Sequence, residues 1–228
     1  MLYYIVVIIY AISREGNNLN ENVMQLLLTS RIGDGNIARN GKNMCIQYSS
    51  VLQDYMLYKH KVISTKYPCI DVKLKDNSKG YNKHGTIYYF STYTNEKFNK
   101  LAEMSKETII ESLDYFGYLM YYLDDGAYHK AHRTMHLYCN SFTDSEVDHL
   151  IQKIYELFPI KPCRKRVDKK KDGRSYPYLY VPVDTVKAII AYYKDFMLNE
   201  PLLHCMLYKL GLPSQTIESN KCNSLTGE

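Results

Sequence analysis

Apolar residues recur along this chain at two spacings, and each spacing predicts a different element. In SEVDHLIQKIYELF (145–158) they return every three or four positions, at Val147, Leu150, Ile151, Ile154 and Leu157. This is one face of a helix, and Thr143 or Asp144 is placed to cap it. In MCIQYSS (44–50) and MHLYCNS (135–141), aromatic and β-branched residues alternate with others, which is typical of strands.

The same order of elements is predicted twice. Each copy has an apolar helix (22–34 and 115–125), a strand pair, an amphipathic helix, a second strand pair (69–76 with 85–93, and 162–168 with 176–182) and a closing helix. Residues 91 positions apart match: Asp34 with Asp125, Gly35 with Gly126, Met44 with Met135, Ile46 with Leu137, and Ser50 with Ser141. We therefore predict an α+β protein made of two αββαββα copies.

Five segments follow from these patterns. We predict an N-terminal extension (1–21), a first half (22–104), a short helical linker (105–114), a second half (115–213) and a loose polar tail (214–228). The extension begins MLYYIVVIIYAIS, which is shorter than the roughly 20 apolar residues needed to cross a membrane. It also lacks the basic start of a signal peptide. We therefore expect no membrane partner.

The balance of charges points to a polyanionic partner. The net charge is +5 and the pI is about 8.7, a bias that suits nucleic acid and is also common among other enzymes. The abundance of Tyr, Lys, Asn and Ile is typical of an AT-rich genome, such as that of an organelle. The six cysteines show no zinc-finger spacing, which favours reduced thiols.

Two apolar runs end on an acid followed by glycine: LLLTSRIGDG (26–35) and YLMYYLDDG (118–126). A single Asp-Gly after a helix is an ordinary turn signal. Two of them at matching positions of a repeat would bring Asp34 and Asp125 side by side, where like charges repel and the helix dipoles are unfavourable. Such a pair is stabilised by cations, and adjacent carboxylates on Mg²⁺ are a usual arrangement for phosphoryl displacement.

These two runs resemble the signature helices of single-chain LAGLIDADG homing endonucleases of the mitochondrial-intron type. Three other segments are similar to that family: FNKLAEMSKETI (98–109), NSFTDSEVDHLI (140–151) and MLYKLGLP (206–213). The similarity extends over about residues 22–213. It implies two pseudo-symmetric halves, each with a curved antiparallel sheet. The sheets would form a DNA-binding saddle, with the motif helices at the interface.

The resemblance also implies the site residues. Asp34 and Asp125 match the catalytic acids that bind Mg²⁺ or Mn²⁺, and the carbonyls of Gly33 and Asp124 are their expected supporting neighbours. Lys209 matches a basic catalytic residue near the C-terminal end. Lys106 lies near the equivalent position of the first half.

The family favours small residues where its motif helices touch. This chain has Thr29 and Gly33 in the first helix but Leu119 and Met120 in the second. We therefore expect the close approach of the two helices to depend mainly on the first.

The strands carry the basic residues that a DNA-binding face needs. In CRKRVDK (163–169), alternation places Arg164 and Arg166 on one face and Lys165 on the other. The predicted DNA-binding residues are Arg39, Lys42, Gln47, Lys73, Lys75, Lys83, His84, Lys130, Arg133, His136, Arg164, Arg166, Lys170 and Arg174. A strand of eight residues covers about eight base pairs, so two unlike halves would cover an asymmetric site of roughly 16 to 20 base pairs.

Two other functions fit the same residues: an intron maturase that binds RNA without cutting it, and a DNA-binding protein without nuclease activity. The presence of both acids favours a site-specific double-strand DNA endonuclease of the intron-homing kind. Two motifs in one chain predict a monomer. The AT-rich composition and the resemblance together predict a mitochondrial location.

Overall fold

Two four-stranded antiparallel sheets of identical topology form the framework of the protein. The computed structural model describes residues 19–76, 85–169, 173 and 175–213. In the first sheet the strand order is β1-β2-β4-β3, and in the second it is β5-β6-β8-β7. The repeated topology confirms the predicted two-half α+β fold.

The first half contains three helices and four strands. Their bounds are α1 (Leu19–Thr29), β1 (Asn36–Asn40), β2 (Asn43–Ser50), α2 (Gln53–Ser64), β3 (Lys73–Asp76), β4 (Thr86–Ser91) and α3 (Lys97–Glu103). The regular part of α1 ends five residues before Asp34, so the prediction of one helix over 22–34 is wrong at its C-terminal end.

The second half repeats this order after a short helix, α4 (Lys106–Glu111). Its elements are α5 (Tyr115–Asp125), β5 (Gly126–His129), β6 (Thr134–Tyr138), α6 (Asp144–Leu157), β7 (Arg164–Lys169), β8 (Ser175–Val181) and α7 (Val183–Asn199). A 3-10 helix (Pro201–Leu210) follows and ends at Gly211, whose φ of +72° is a left-handed conformation that suits glycine. Thr143 caps α6 through a capping box with Glu146, as the sequence predicts.

Each sheet has one face on the core and one face away from it. Ile46, Tyr48 and Phe90 of the first sheet, and Met135, Leu137 and Leu179 of the second, are buried side chains of the core. Because side chains alternate along a strand, the residues between them lie on the opposite face. That opposite face is where the polar and basic residues of the strands gather.

The two motif helices α1 and α5 pack against each other between the halves. Every residue from Phe116 to Leu123 is buried, which is typical of a helix surrounded by protein on all sides. The close approach depends on both helices. A Cβ placed on Gly117 would lie 2.1 Å from Oε1 of Gln25, and one on Gly33 would lie 2.9 Å from Oδ2 of Asp124. The expectation that the close approach depends mainly on the first helix is therefore corrected by Gly117 of the second.

Some sequence predictions fall outside the described residues. These are most of the N-terminal extension (1–21), the tail (214–228) and the basic residues Lys83, His84, Lys170 and Arg174. Within the described ranges, no helix combines the length and apolar character that crossing a membrane requires. The described cysteines, at 45, 69, 139, 163 and 205, are all free thiols.

Candidate active site

Asp34 and Asp125 reach the same place by two different local structures. Asp125 is the last residue of α5. Asp34 follows a tight turn after α1, in which the N–H of Gly33 donates to the carbonyl of Thr29 at 2.8 Å. The hydroxyls of Thr29 and Ser30 donate back to the carbonyls of Leu26 and Leu27. These side-chain bonds satisfy carbonyls at the helix end, where the regular ladder stops.

The surroundings raise the pKa of both acids. Burial is the main cause that raises the pKa of Asp125 to about 7, and the negative charges of Asp34 and Asp124 add to it. Partial burial also raises the pKa of Asp34, a residue that is exposed by its overall surface area, and the charge of Asp124 adds to this effect. Lys59 and Lys209 act in the opposite direction on both acids. The charge of Asp34 is one of the causes that raise the pKa of Asp125, and the backbone N–H of Asp34 lies within hydrogen-bonding distance of Asp124, the residue before Asp125. The repeat therefore brings the two acids close together, as their matching positions predict.

Asp124 belongs to a buried ion pair across the two halves. Its Oδ1 atom accepts from Nζ of Lys59 at 2.6 Å and from the hydroxyl of Tyr55 at 2.7 Å. The side chains of Lys59 and Asp124 are each only 1% exposed. Oδ2 accepts from the backbone N–H of Asp34 at 3.4 Å. Asp124 thus contributes through its side chain, whereas the sequence assigned only its carbonyl, like that of Gly33, a supporting role.

Lys59 is the site residue that sequence reasoning missed. It lies on α2 between the buried residues Tyr55 and Val62, on the face of the helix that meets the core. A lysine at helical spacing among apolar residues is the available signal, because a buried ammonium needs an anionic partner. Its partner Asp124 is distant in sequence, so the pattern alone could not supply the pairing.

The two lysines that the sequence did select lie in different places. Nζ of Lys209 donates to the carbonyl of Gly126 at 2.5 Å, and its charge lowers the pKa of both Asp34 and Asp125. Burial lowers the pKa of Lys209, and the three nearby aspartates offset part of that effect. Lys106 is bonded instead to Ser141 and stands 4.0 Å from Glu146 of the second half. The predicted place of Lys106 beside the acids is taken by Lys59.

The acid pair fits a divalent cation in its chemistry. The described residues contain no cluster of three or more His, Cys, Asp or Glu side chains that would hold a metal. Mg²⁺ and Mn²⁺ can bind through one or two carboxylates, completed by water and substrate phosphate. Two carboxylates with raised pKa values in a partly desolvated place suit such an ion, since its charge would stabilise both anions.

A polar cleft of about 280 Å³ adjoins Asp34 on the outer face of the first sheet. Strand register places Asn36, Gln47 and Ser91 in one row across this face, since Gln47 pairs with both of the others. The side-chain amide of Asn36 donates to that of Gln47 at 3.1 Å. Lys73 and Lys75 lie on the same face, opposite Tyr89 and Ile87. The structure therefore brings together three of the predicted DNA-binding residues of this half: Gln47, Lys73 and Lys75.

The outer face of the second sheet is richer in aromatic rings and arginine. Arg164 and Arg166 pair with Tyr180 and Tyr178, and His136 lies across from Tyr180. The ring of His136 stacks on that of Tyr178, with centroids 4.2 Å apart. Lys165 points to the other side, where its ammonium is 2.9 Å from Asp148 of α6. The predicted alternation in this strand is thus present.

The remaining predicted contacts lie at the ends of strands. Lys42 lies in the β1–β2 turn, and Lys130 and Arg133 lie in the β5–β6 turn; all three are exposed. Arg39 is exposed on β1, but its register opposite Met44 gives it the orientation of the core-facing row. The prediction placed both Arg39 and Gln47 on the DNA-binding face. The register shows that Arg39 does not share the outer face with Gln47.

Comparison with known proteins shows the family to which the chain belongs. The chain matches the LAGLIDADG DNA endonuclease family over residues 25–189. The match covers more than half of the chain, and the chain belongs to that family. No curated protein matches it in a sequence search.

Solved structures share the fold at low sequence identity. The homing endonuclease I-WcaI, bound to its DNA recognition sequence, is 18% identical with a TM-score of 0.63, over 85% of this chain and 88% of that one. Full-length DUF199/WhiA from Thermatoga maritima is 9% identical with a TM-score of 0.50, over 88% of this chain and 64% of that one. I-DmoI in complex with DNA and Mn is 12% identical with a TM-score of 0.49, over 75% and 96%. At these identities the likeness concerns the fold.

Proposed function

We propose that this chain is a site-specific endonuclease that hydrolyses phosphodiester bonds in both strands of DNA, as in intron homing. The observation that carries the proposal is the convergence of Asp34 and Asp125 at the junction of two sheets whose outer faces are polar and basic. Membership of the LAGLIDADG DNA endonuclease family supports the same reaction. Each acid would serve one scissile phosphate, since the halves repeat each other.

The cofactor we propose is Mg²⁺ or Mn²⁺, held by Asp34 and Asp125. When bound, such an ion supplies Lewis-acid stabilisation and lowers the pKa of water. The chain itself provides the geometry and the fixed charges. Lys209 places a positive charge near the acids, where it would stabilise negative charge that develops on the phosphate. Lys59 is buried in its ion pair with Asp124 and is not assigned to the phosphate.

The DNA would lie across the outer faces of both sheets. Lysines and arginines suit phosphate contacts, and Gln47, Arg164 and Arg166 suit purine edges. The first face carries Asn, Gln, Ser and Lys, whereas the second carries Arg, His and Tyr. Because the two faces differ chemically, we propose a long asymmetric recognition site.

Replacement of one acid tests the catalytic assignment. In Asp125→Asn the side chain keeps its size but loses its charge, so we expect cleavage to fall by about two orders of magnitude or more while DNA affinity stays within a few-fold. Asp34→Asn should act in the same way. The substrate is found by selecting bound sites from randomised duplex DNA in Ca²⁺, and cleavage is then measured in Mg²⁺.

The matched control is Asp195→Asn, which removes the same charge from an exposed position on α7. It should cut at the parent rate. If Asp125→Asn cuts as fast as the parent, the paired acids are helix ends without a catalytic role. If the parent selects and binds DNA but does not cut it, a non-cleaving DNA-binding function replaces the endonuclease. Preferential binding of structured intron RNA in the same assay would favour the maturase function.

We propose that the active protein is a monomer located in mitochondria. The packing of α1 against α5 within one chain supports the monomer, because this contact already unites both acids. The AT-rich composition supports the location. Sedimentation at micromolar concentration should give a mass near 26.7 kDa. A mass twice as large that persists in high salt would contradict the monomer.

A further inference from the structure

A single carboxylate, that of Asp124, joins the two halves beside the catalytic acids. Lys59 and Tyr55 on α2 of the first half both donate to its Oδ1 atom, at 2.6 and 2.7 Å. Its Oδ2 atom accepts from the backbone N–H of Asp34 at 3.4 Å. Asp124 also precedes Asp125 directly in the chain. The side chain of Asp124 therefore links the position of Asp34 to that of Asp125.

This cluster exists on one side of the pseudo-twofold axis only. In the repeat, Gly33 occupies the position that corresponds to Asp124, and Leu150, which is fully buried, occupies that of Lys59. A Cβ on Gly33 would already stand 2.9 Å from Oδ2 of Asp124. Two such carboxylates could not fit at the axis together, so the arrangement is built once and makes the two acids unequal.

Different contacts also hold the backbones of the two acids in place. Asp125 ends a helix whose residues from Phe116 to Leu123 are all buried, so its backbone is fixed by core packing. Asp34 lies in a turn beyond the end of α1, and its backbone N–H bonds across the interface to Asp124. Loss of the cluster would release Asp34 more than Asp125.

We propose that Lys59 and Tyr55 are positioning residues that act through Asp124: they fix Asp34 relative to Asp125 and are needed more for cutting one DNA strand than the other. This inference rests on the proposed endonuclease function. A purely structural role is the competing explanation. Apolar residues can often replace a buried ion pair without loss of stability, so stability alone does not require these residues.

The test is the double variant Lys59→Met with Asp124→Ala, which removes the cluster without leaving a buried charge unpaired. Each strand of the selected duplex is end-labelled separately, and its cleavage rate in Mg²⁺ is measured under single-turnover conditions. We expect one strand to be slowed about tenfold to a hundredfold more than the other, because a displacement of about 1 Å is enough for such a loss. DNA affinity in Ca²⁺ should change less than about threefold, since the outer faces are untouched.

Two further variants keep the test decisive. Tyr55→Phe removes one hydroxyl from the cluster and should give a smaller strand difference in the same sense, even if the double variant folds poorly. Lys61→Met makes the same substitution two residues from Lys59, at a surface pair with Glu200, and should cut both strands as the parent does. Cleavage of both strands in the parent ratio by both cluster variants overturns the inference and leaves the endonuclease function standing. A parent protein that cuts neither strand overturns both.

Discussion

At the scale of single residues, the fold controls the charge of Asp125. An aspartate in the unfolded chain has a pKa near 4, whereas burial and the neighbouring charges of Asp34 and Asp124 raise that of Asp125 to about 7. Between these values the folded, metal-free protein keeps a proton that the unfolded chain has released. A bound cation would reverse this preference, so metal binding and protonation compete for the same oxygen atoms.

This difference predicts how stability depends on pH without metal. Because the native state binds more protons than the unfolded state between about pH 4 and pH 7, the contribution of Asp125 is fully present below pH 4 and is lost as pH rises through 7. The pKa of His136 is lowered to about 4, mainly by burial, and this acts in the opposite direction up to about pH 6.5. We therefore compare variants by urea unfolding in EDTA across this range. Relative to Asp195→Asn, Asp125→Asn should gain stability as pH rises; parallel curves would contradict the raised pKa.

The residue scale also shows what a sequence can and cannot predict about the site. The register of the repeat was enough to bring Asp34 and Asp125 together, because the two acids occupy the same position of the repeat, although only Asp125 lies within its motif helix. The repeat does not indicate in the same way which of Lys59 and Lys106 lies beside the acids. Lys59 lies on α2 of the first half and Lys106 begins α4 between the halves. Only the tertiary contact of α2 with the end of α5 decides which ammonium meets an aspartate.

At the scale of elements, the motif helices are joined by a side chain as well as by packing. Gln25 on α1 donates to the carbonyl of Ser112 at 2.9 Å and accepts from the N–H of Asp114 at 3.2 Å. Asp114 in turn caps α5 by accepting from the N–H of Gly117. These hydrogen bonds connect the first motif helix to the start of the second. No spacing in the sequence predicts this contact, since the bonding partners of Gln25 are 87 and 89 positions away from it in the chain.

Gly117 should be needed for this contact. A Cβ there would stand 2.1 Å from Oε1 of Gln25, so Gly117→Ala must displace the amide and break its two bonds. We expect a loss of about 1–3 kcal/mol in the free energy of unfolding, even though alanine is the better helix former. Denaturant unfolding measures the change.

A double-mutant cycle provides the control for this prediction. In a Gln25→Ala background the obstructing amide is gone, so Gly117→Ala should then cost much less, or stabilise α5 slightly. Equal costs in both backgrounds would show that the glycine serves something other than the approach of Gln25.

At the scale of the whole molecule, the two halves share topology but not surface chemistry. The strand alternation and the order of elements were readable from the sequence, because both depend on local patterns that repeat. The side of β1 on which Arg39 lies was not, because it depends on the register with β2. The two outer faces can therefore contribute differently to DNA binding while the framework stays symmetric.

The salt dependence of DNA binding tests the two-sheet binding surface as a whole. The exposed cations of the outer faces and their turns, among described residues, are Lys42, Lys73, Lys75, Lys130, Arg133, Arg164 and Arg166. If six of them contact phosphate, the slope of log K against log salt concentration should be about −5 or steeper, because each contact releases counterions. Lys73→Ala should make the slope shallower by about 0.9. Lys187→Ala on α7, whose ammonium is 3.7 Å from Asp184, should leave it unchanged. Fluorescence anisotropy with the selected duplex in Ca²⁺ gives these slopes, and a slope near zero for the parent would exclude DNA binding across both sheets.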